Sequence, residues 1–315
     1  MIDESDILEM IRPSSMEPIE ICSMRPRCEA AAVKLVPALR DMTTEAAHQG
    51  TLGHEVLADI ARDAFAGDWS RAEEVIKGMH VRMNGLLPWC KDAVRTCTVY
   101  LCDLVRRYVP RYPLMQILAE IHLPGEGLLI PRGGTADLVL LCMNEHGELE
   151  LVIVVDWKTG FVYQGEAADH LQLGCYAVMA SDQYRPKNGV IVHLAMGRRH
   201  EFSSALYEQE AITGVRNRIR AGVTNALSIH AVHRPCLKAC RFCKAMCFCI
   251  PLRNHLMSAI DELAMFGADP ADRVAIAEMA RLAKRFVAEA DALAKHWRAQ
   301  ETENRSKSPT ESTTP

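Results

Sequence analysis

No run of about 18 apolar residues occurs in the chain, so the sequence predicts no membrane-spanning helix. The opening stretch, MIDESDILEM, is acidic and lacks the apolar centre of a secretory signal, and we expect a cytoplasmic protein. Charge of one sign is not in large excess either. Lys and Arg number 36 against 40 Asp and Glu, a net charge of −4. A polyanion partner is therefore not announced by the whole chain, and any nucleic-acid contact must come from a local site. No internal repeat is present. What remains is an ordinary globular composition, 49% hydrophobic and 24% charged over 315 residues, enough for one large domain with attachments.

Twelve cysteines in a chain without a signal peptide argue against a disulfide scaffold. Cys90, Cys97, Cys102, Cys142 and Cys175 lie among apolar residues and read as small buried hydrophobes. Cys236, Cys240, Cys243, Cys247 and Cys249 crowd into one short basic segment, which packing alone does not explain.

Helical periodicity runs from about Cys28 to Leu39, again from near Thr51 through Leu52, Val56, Leu57 and Ile60, and over Arg71 to Tyr108 with a break near Pro88. The pattern then changes to strands: Leu114 to Leu123, Thr135 to Met143, and Leu149 to Asp156, the last two joined by the turn Asn144-Glu145-His146-Gly147. A helix over Ala167 to Ala180, a strand over Gly189 to Met196 and a helix over about Ser204 to Leu227 follow. This order predicts an α/β core with a mixed sheet. Beyond the Cys-rich segment, Asp269-Pro270 reads as an N-cap and first helical position. Met279, Ala283, Phe286, Ala290, Leu293 and Trp297 then mark one long amphipathic helix. The Ser/Thr/Pro/Glu-rich tail from Glu301 to Pro315 reads as disordered.

Asp137 begins one strand of the hairpin and Asp156 ends the other. Antiparallel pairing brings such positions together. Two adjacent carboxylates repel unless a cation lies between them, and an oxygen-rich site suits Mg²⁺ or Mn²⁺. Strand alternation puts Asp156 and Lys158 on one face and Trp157 on the other. A lysine there can serve an attacking water or offset charge on a phosphate. On spacing alone, the two acids could equally be solvated strand ends. Gln172 and Tyr176, four residues apart on the next helix, share a face that could support the lysine. His54, in Gly50-Thr51-Leu52-Gly53-His54, could ligate a metal, and Glu120 is a weaker candidate for the same cluster.

The ordered set GTLGH, GTAD, a strand ending in DWKTG, and QLGCY resembles the RecB-like branch of the PD-(D/E)XK nucleases. The resemblance spans about Ser14 to Pro251. It implies a restriction-endonuclease-like core in which His54, Asp137, Asp156 and the backbone carbonyl of Trp157 hold Mg²⁺ or Mn²⁺. Lys158 would serve the water, while Gln172 and Tyr176 would support the site and the DNA. The implied activity is a deoxyribonuclease, acting as an exonuclease on single-stranded or frayed DNA ends in phage or bacterial recombination or repair, with a helicase or recombination protein as a further partner. A rival reading is a catalytically silent DNA-binding or assembly module on the same fold.

Cys240, Cys243 and Cys249 have the spacing of metal thiolates, and Cys22 or Cys28 could supply a fourth. Spacing alone favours zinc, which would leave a zinc-clasped interaction protein as another reading. In the iron–sulfur members of the resembled branch, one N-terminal Cys joins three late ones around a [4Fe-4S] cluster. The phage-encoded members place that Cys seven residues after a Ser-Ser pair, which Ser14-Ser15 and Cys22 match, so the resemblance implies Cys22, Cys240, Cys243 and Cys249. Cys28, Cys236 and Cys247 are alternates. For DNA phosphates the candidates are Arg216, Arg218, Arg220 and Arg241, with Arg234, Lys238 and Lys244 nearby; the arginine triplet could equally be a solvated helix face. The expected organisation is an N-terminal segment (1–48), a nuclease core (49–230), a Cys-rich metal-clasped segment (231–251), a C-terminal helical region (252–300) and the tail (301–315).

Overall fold

The apolar β-branched runs pair into one five-stranded sheet in the order of the chain: β1 (Gln116–Leu123), β2 (Gly134–Met143), β3 (Leu149–Lys158), β4 (Val190–Met196) and β5 (Glu201–Tyr207). This computed structural model describes residues 2–40, 45–64, 72–162, 164–266 and 273–307. Strands β1 to β3 form an antiparallel meander, β3 and β4 run parallel, and β5 returns antiparallel, so the sheet is mixed. The β2–β3 turn forms as its residues predict: Asn144 Oδ1 accepts from the amides of His146 and Glu148, each at 3.0 Å.

Helices cover both faces. On one side lie α4 (Glu45–Ala64), α5 (Ala72–Arg82) and α6 (Pro88–Tyr108), whose apolar stripes meet Leu138, Ile153, Val155 and Trp157. On the other lie α7 (Leu171–Tyr184), which crosses from β3 to β4, and α8 (Gln209–Leu227), against Val139, Val152 and Val154. The α/β class and helix-flanked mixed sheet are thus as the sequence predicts.

Several boundaries differ; the helix expected over Ala167 to Ala180 lies four residues later, as α7 (Leu171–Tyr184). The segment over Ser204 to Leu227 is not one helix: its first residues are the end of β5, and α8 starts at Gln209. Strand β5 has two serines and no β-branched residue, so it carries little local strand signal. Its register against β4 and the stacking of Phe202 on Tyr100, at 4.0 Å between ring centroids, hold it instead. The last helix is also longer than predicted. Helix α11 (Arg273–Lys307) continues through Glu301 because nothing from Ala299 to Lys307 breaks a helix. Residues 308–315 and the Asp269-Pro270 cap lie outside the described residues.

The amino-terminal segment forms α1 (Glu4–Leu8), α2 (Met16–Ile21) and α3 (Arg25–Leu35). The Cys-rich segment carries the short α9 (Leu237–Cys240) and leads into α10 (Ile250–Phe266). Cys22, Cys240, Met246, Leu252, Leu256 and Leu282 make a third, smaller core, against which Met279, Ala283 and Phe286 of α11 pack. The amphipathic stripe of α11 therefore covers the cysteine segment.

Candidate active site

The register of β2 and β3 pairs Leu138 with Val155, so the next position sets Asp137 opposite Asp156 at the sheet mouth. On the other side, β1 pairs Ala119 with Leu138 and Ile121 with Ala136, which sets Glu120 opposite Asp137. Three carboxylates thus occupy one row across three strands. Glu120 interrupts the ladder with φ of 52°, a left-handed conformation costing a non-glycine residue about 1–3 kcal/mol and found where a site constrains the backbone.

His54 reaches this row from α4. Gly53 explains the approach: a Cβ there would lie 2.9 Å from Cys90 Sγ and 3.3 Å from Thr159 Cγ2. With no side chain, α4 settles against α6 and the residue following Lys158. His54 Nδ1 then lies 3.1 Å from Asp137 Oδ1, while Asp137 Oδ2 accepts the Trp157 amide at 2.7 Å. Burial pulls the His54 pKa down, but the Asp137 charge and hydrogen bond, with Asp156, outweigh it, and the net direction is up. Burial, then the neighbouring Asp137, raises that of Glu120.

Metal-capable atoms of His54, Glu120 and Asp137 all lie within 4.8 Å of one another, the only such trio among the described residues. One imidazole and two carboxylates form a hard, oxygen-rich donor set that suits Mg²⁺ or Mn²⁺. Asp156 stands just outside the trio. It is buried, and its Oδ2 lies 2.6 Å from Lys158 Nζ while its Oδ1 accepts from Gln172 Nε2 at 3.0 Å. Burial pushes the Asp156 pKa up, against the pull of Lys158. The sequence reading ranked Glu120 lowest of the cluster, yet it is the nearer partner of His54 and Asp137. Its place depends on β1 register, which no local motif encodes.

The supporting residues form one chain of hydrogen bonds. Lys158 Nζ donates to Gln172 Oε1 at 3.1 Å, Gln172 Nε2 donates also to the Tyr176 hydroxyl at 3.3 Å, and that hydroxyl donates to the Thr135 carbonyl at 2.8 Å. Gln172 is thereby fixed in one amide orientation between the lysine and the acid. Trp157 is buried on the opposite face, as alternation requires.

Lys158 and Gln172 open onto a groove of about 800 Å³ that runs to Ser14, Lys238, Arg241 and Phe242. Of the basic candidates, Arg241 lies in this groove, its guanidinium 5.2 Å from the exposed Phe242 ring, which Arg285 approaches at 4.8 Å. Arg216 and Arg218 do not project freely. Arg216 makes two 2.7 Å bonds to Asp182, and Arg218 two 2.6 Å bonds to Glu20, so both charges are already compensated. Arg220 is exposed.

Cys22, Cys28, Cys240, Cys243 and Cys249 line one small cavity of about 20 Å³, and none is in a disulfide. Cys236 caps α9 by accepting the Ala239 amide, and Cys247 does not line the cavity. Burial pushes the Cys28 thiol up to about 12 and Cys240 up to about 11, with neighbouring thiols adding to each. The sequence offered no sign of what aligns the segment. Arg25, buried, donates to the carbonyls of Ala239 (2.9 Å) and Phe242 (3.0 Å) and pairs with Glu29, which accepts the Lys244 amide at 3.0 Å.

A family model described as "Protein of unknown function (DUF2800)" matches residues 25–307. No curated protein matches the chain.

Proposed function

The chain belongs to the DUF2800 family, and we propose, from the geometry of its candidate site, that it is a divalent-metal-dependent deoxyribonuclease of the PD-(D/E)XK type. The observation that carries the reading is the convergence at the sheet mouth: Asp137 opposite Asp156, His54 3.1 Å from Asp137, and Lys158 2.6 Å from Asp156. Solvated strand ends have no need of a buried acid, a fixed lysine and a histidine delivered by another helix.

His54, Glu120, Asp137 and Asp156, with the Trp157 backbone carbonyl, would hold Mg²⁺ or Mn²⁺, which supplies Lewis-acid stabilisation of a phosphodiester. The remaining work belongs to the protein. Lys158 holds an ammonium where the attacking water and a non-bridging phosphate oxygen would lie. Gln172 and Tyr176 keep that ammonium from swinging into the groove. The groove accepts a strand of DNA between the lysine and Arg241. Exonucleolytic action on single-stranded or frayed ends in recombination or repair is the reading we favour.

We assign the cysteine cavity to a [4Fe-4S] cluster held by Cys22, Cys240, Cys243 and Cys249. What supports the assignment is that these four thiols line one cavity and none is in a disulfide.

Asp156→Ala tests the nuclease reading. We expect cleavage of DNA in Mn²⁺ to fall at least about a thousandfold, the loss of several kcal/mol of transition-state stabilisation, with DNA affinity largely kept. Equal cleavage by the variant would overturn it.

A further inference from the structure

Arg198 presents an unusual environment for a cation. It follows β4 in the turn Gly197–Arg199, and its guanidinium lies 5.0 Å from the ring centroid of Trp89 on α6 and 5.1 Å from that of Phe161. A half-buried charge is thus set over two aromatic rings. Its neighbours differ. Arg199 is taken by Glu201 through bonds of 3.0 and 2.8 Å, and His200 by Asp92 and Thr96.

The turn is held where it is by Gly197. A Cβ there would lie 2.4 Å from the Ala93 carbonyl and 2.7 Å from Cys97 Sγ, so only glycine lets the turn seat on α6 and bring Arg198 onto Trp89. Strands β3 and β4 are parallel, with Lys158 beside Met196. Arg198, two residues past Met196, and Phe161, three past Lys158, therefore project from the same edge of the sheet as the candidate active site. Carboxyl ends of parallel strands are where α/β sheets bind ligands. Phe161 is 61% exposed, with the Arg199 guanidinium also approaching its ring, at 5.8 Å, so an accessible aromatic edge stands between two cations.

We propose that Trp89, Arg198 and Phe161 form a nucleotide-binding platform next to the catalytic lysine. The ligand is one strand of DNA: the Arg198 guanidinium contacts a phosphate flanking the one to be cleaved, and a base stacks on Phe161. The chemistry is sequence-neutral, since every base has a π-face and every nucleotide a phosphate. Stacking holds the guanidinium plane in place before the strand arrives. This inference rests on the nuclease reading.

Anisotropy of a fluorescein-labelled oligothymidylate, titrated with full-length protein while divalent cations are chelated, tests it over a range of salt. Phe161→Ala is expected to weaken binding about tenfold. Arg198→Ala is expected to weaken it and to lower the slope of log affinity against log salt by about 0.7, one phosphate contact on a single strand. Arg198→Lys should keep the slope and lose affinity. The exposed Phe161 ring carries little of the fold, so a matching melting curve for Phe161→Ala separates binding from folding. Wild-type protein that binds and cleaves DNA, with Phe161→Ala and Arg198→Ala unchanged in affinity and salt slope, overturns the platform alone. Wild-type protein that neither binds nor cleaves DNA overturns the nuclease reading and the platform with it.

Discussion

His193 on β4 shows how one buried residue writes a pH dependence into the fold. It is 2% exposed, and its Nδ1 shares a 2.8 Å hydrogen bond with the Tyr100 hydroxyl. Burial, with the Arg107 charge adding, pushes its pKa down to about 4. In the unfolded chain the same group titrates near ~6.5. Stability is therefore fully present above about pH 6.5 and declines as pH falls toward 4, by about 1.4 kcal/mol per unit, because only the unfolded state takes up the proton. Urea midpoints at neutral and mildly acid pH should separate wild type from a shallower His193→Gln; parallel profiles would refute this. Gly53→Ala makes a second residue-scale prediction. The added methyl meets Cys90 and Thr159, moves α4 outward at a cost of about 1–3 kcal/mol, and draws His54 off Asp137, so cleavage drops more than stability. At this scale the placing of Asp137 opposite Asp156 and of Gln172 beside Tyr176 was legible in the sequence, because hairpin pairing and helix spacing are local rules. Glu120 was faint and Arg198 invisible: one depends on the register of β1, the other on how closely a turn seats on α6.

Among the elements, α3 and the cysteine segment are joined by groups other than thiols. Arg25 and Glu29 are 7% and 5% exposed, and between them they satisfy two carbonyls and an amide of the segment. Removing one member of such a buried pair strands the other, so Arg25→Ala should cost about 3–5 kcal/mol. A denaturation midpoint unmoved by the change would show the clasp to be incidental. Neither residue stood out in the sequence, since a basic–acidic pair four apart reads as helix surface and becomes a clasp only when α9 packs on it. Long or strongly patterned elements, such as α6, β2, β3 and α11, were readable. The short edge strand β5 was not, because its stability comes from β4 and from Phe202 on Tyr100 rather than from its own residues.

At the scale of the whole molecule, one groove runs from Lys158 and Gln172 to Arg241 and Phe242, and the segment carrying Arg241 also supplies cysteines to a separate cavity. The small net charge is consistent with basic groups held locally, since Arg216 and Arg218 are neutralised by acids while Arg198 and Arg241 lie near the groove or sheet edge. Protein purified without oxygen should be coloured and contain iron, and Cys22→Ser should lose both more completely than Cys28→Ser; a colourless protein with stoichiometric zinc would reverse the assignment. Hydrolysis itself is tested by digestion of end-labelled single- and double-stranded DNA with the anaerobically purified chain. Short labelled products are expected in Mg²⁺ or Mn²⁺, and intact DNA when the cation is chelated. Intact DNA under both conditions, from folded protein with its cysteine site filled, would contradict it.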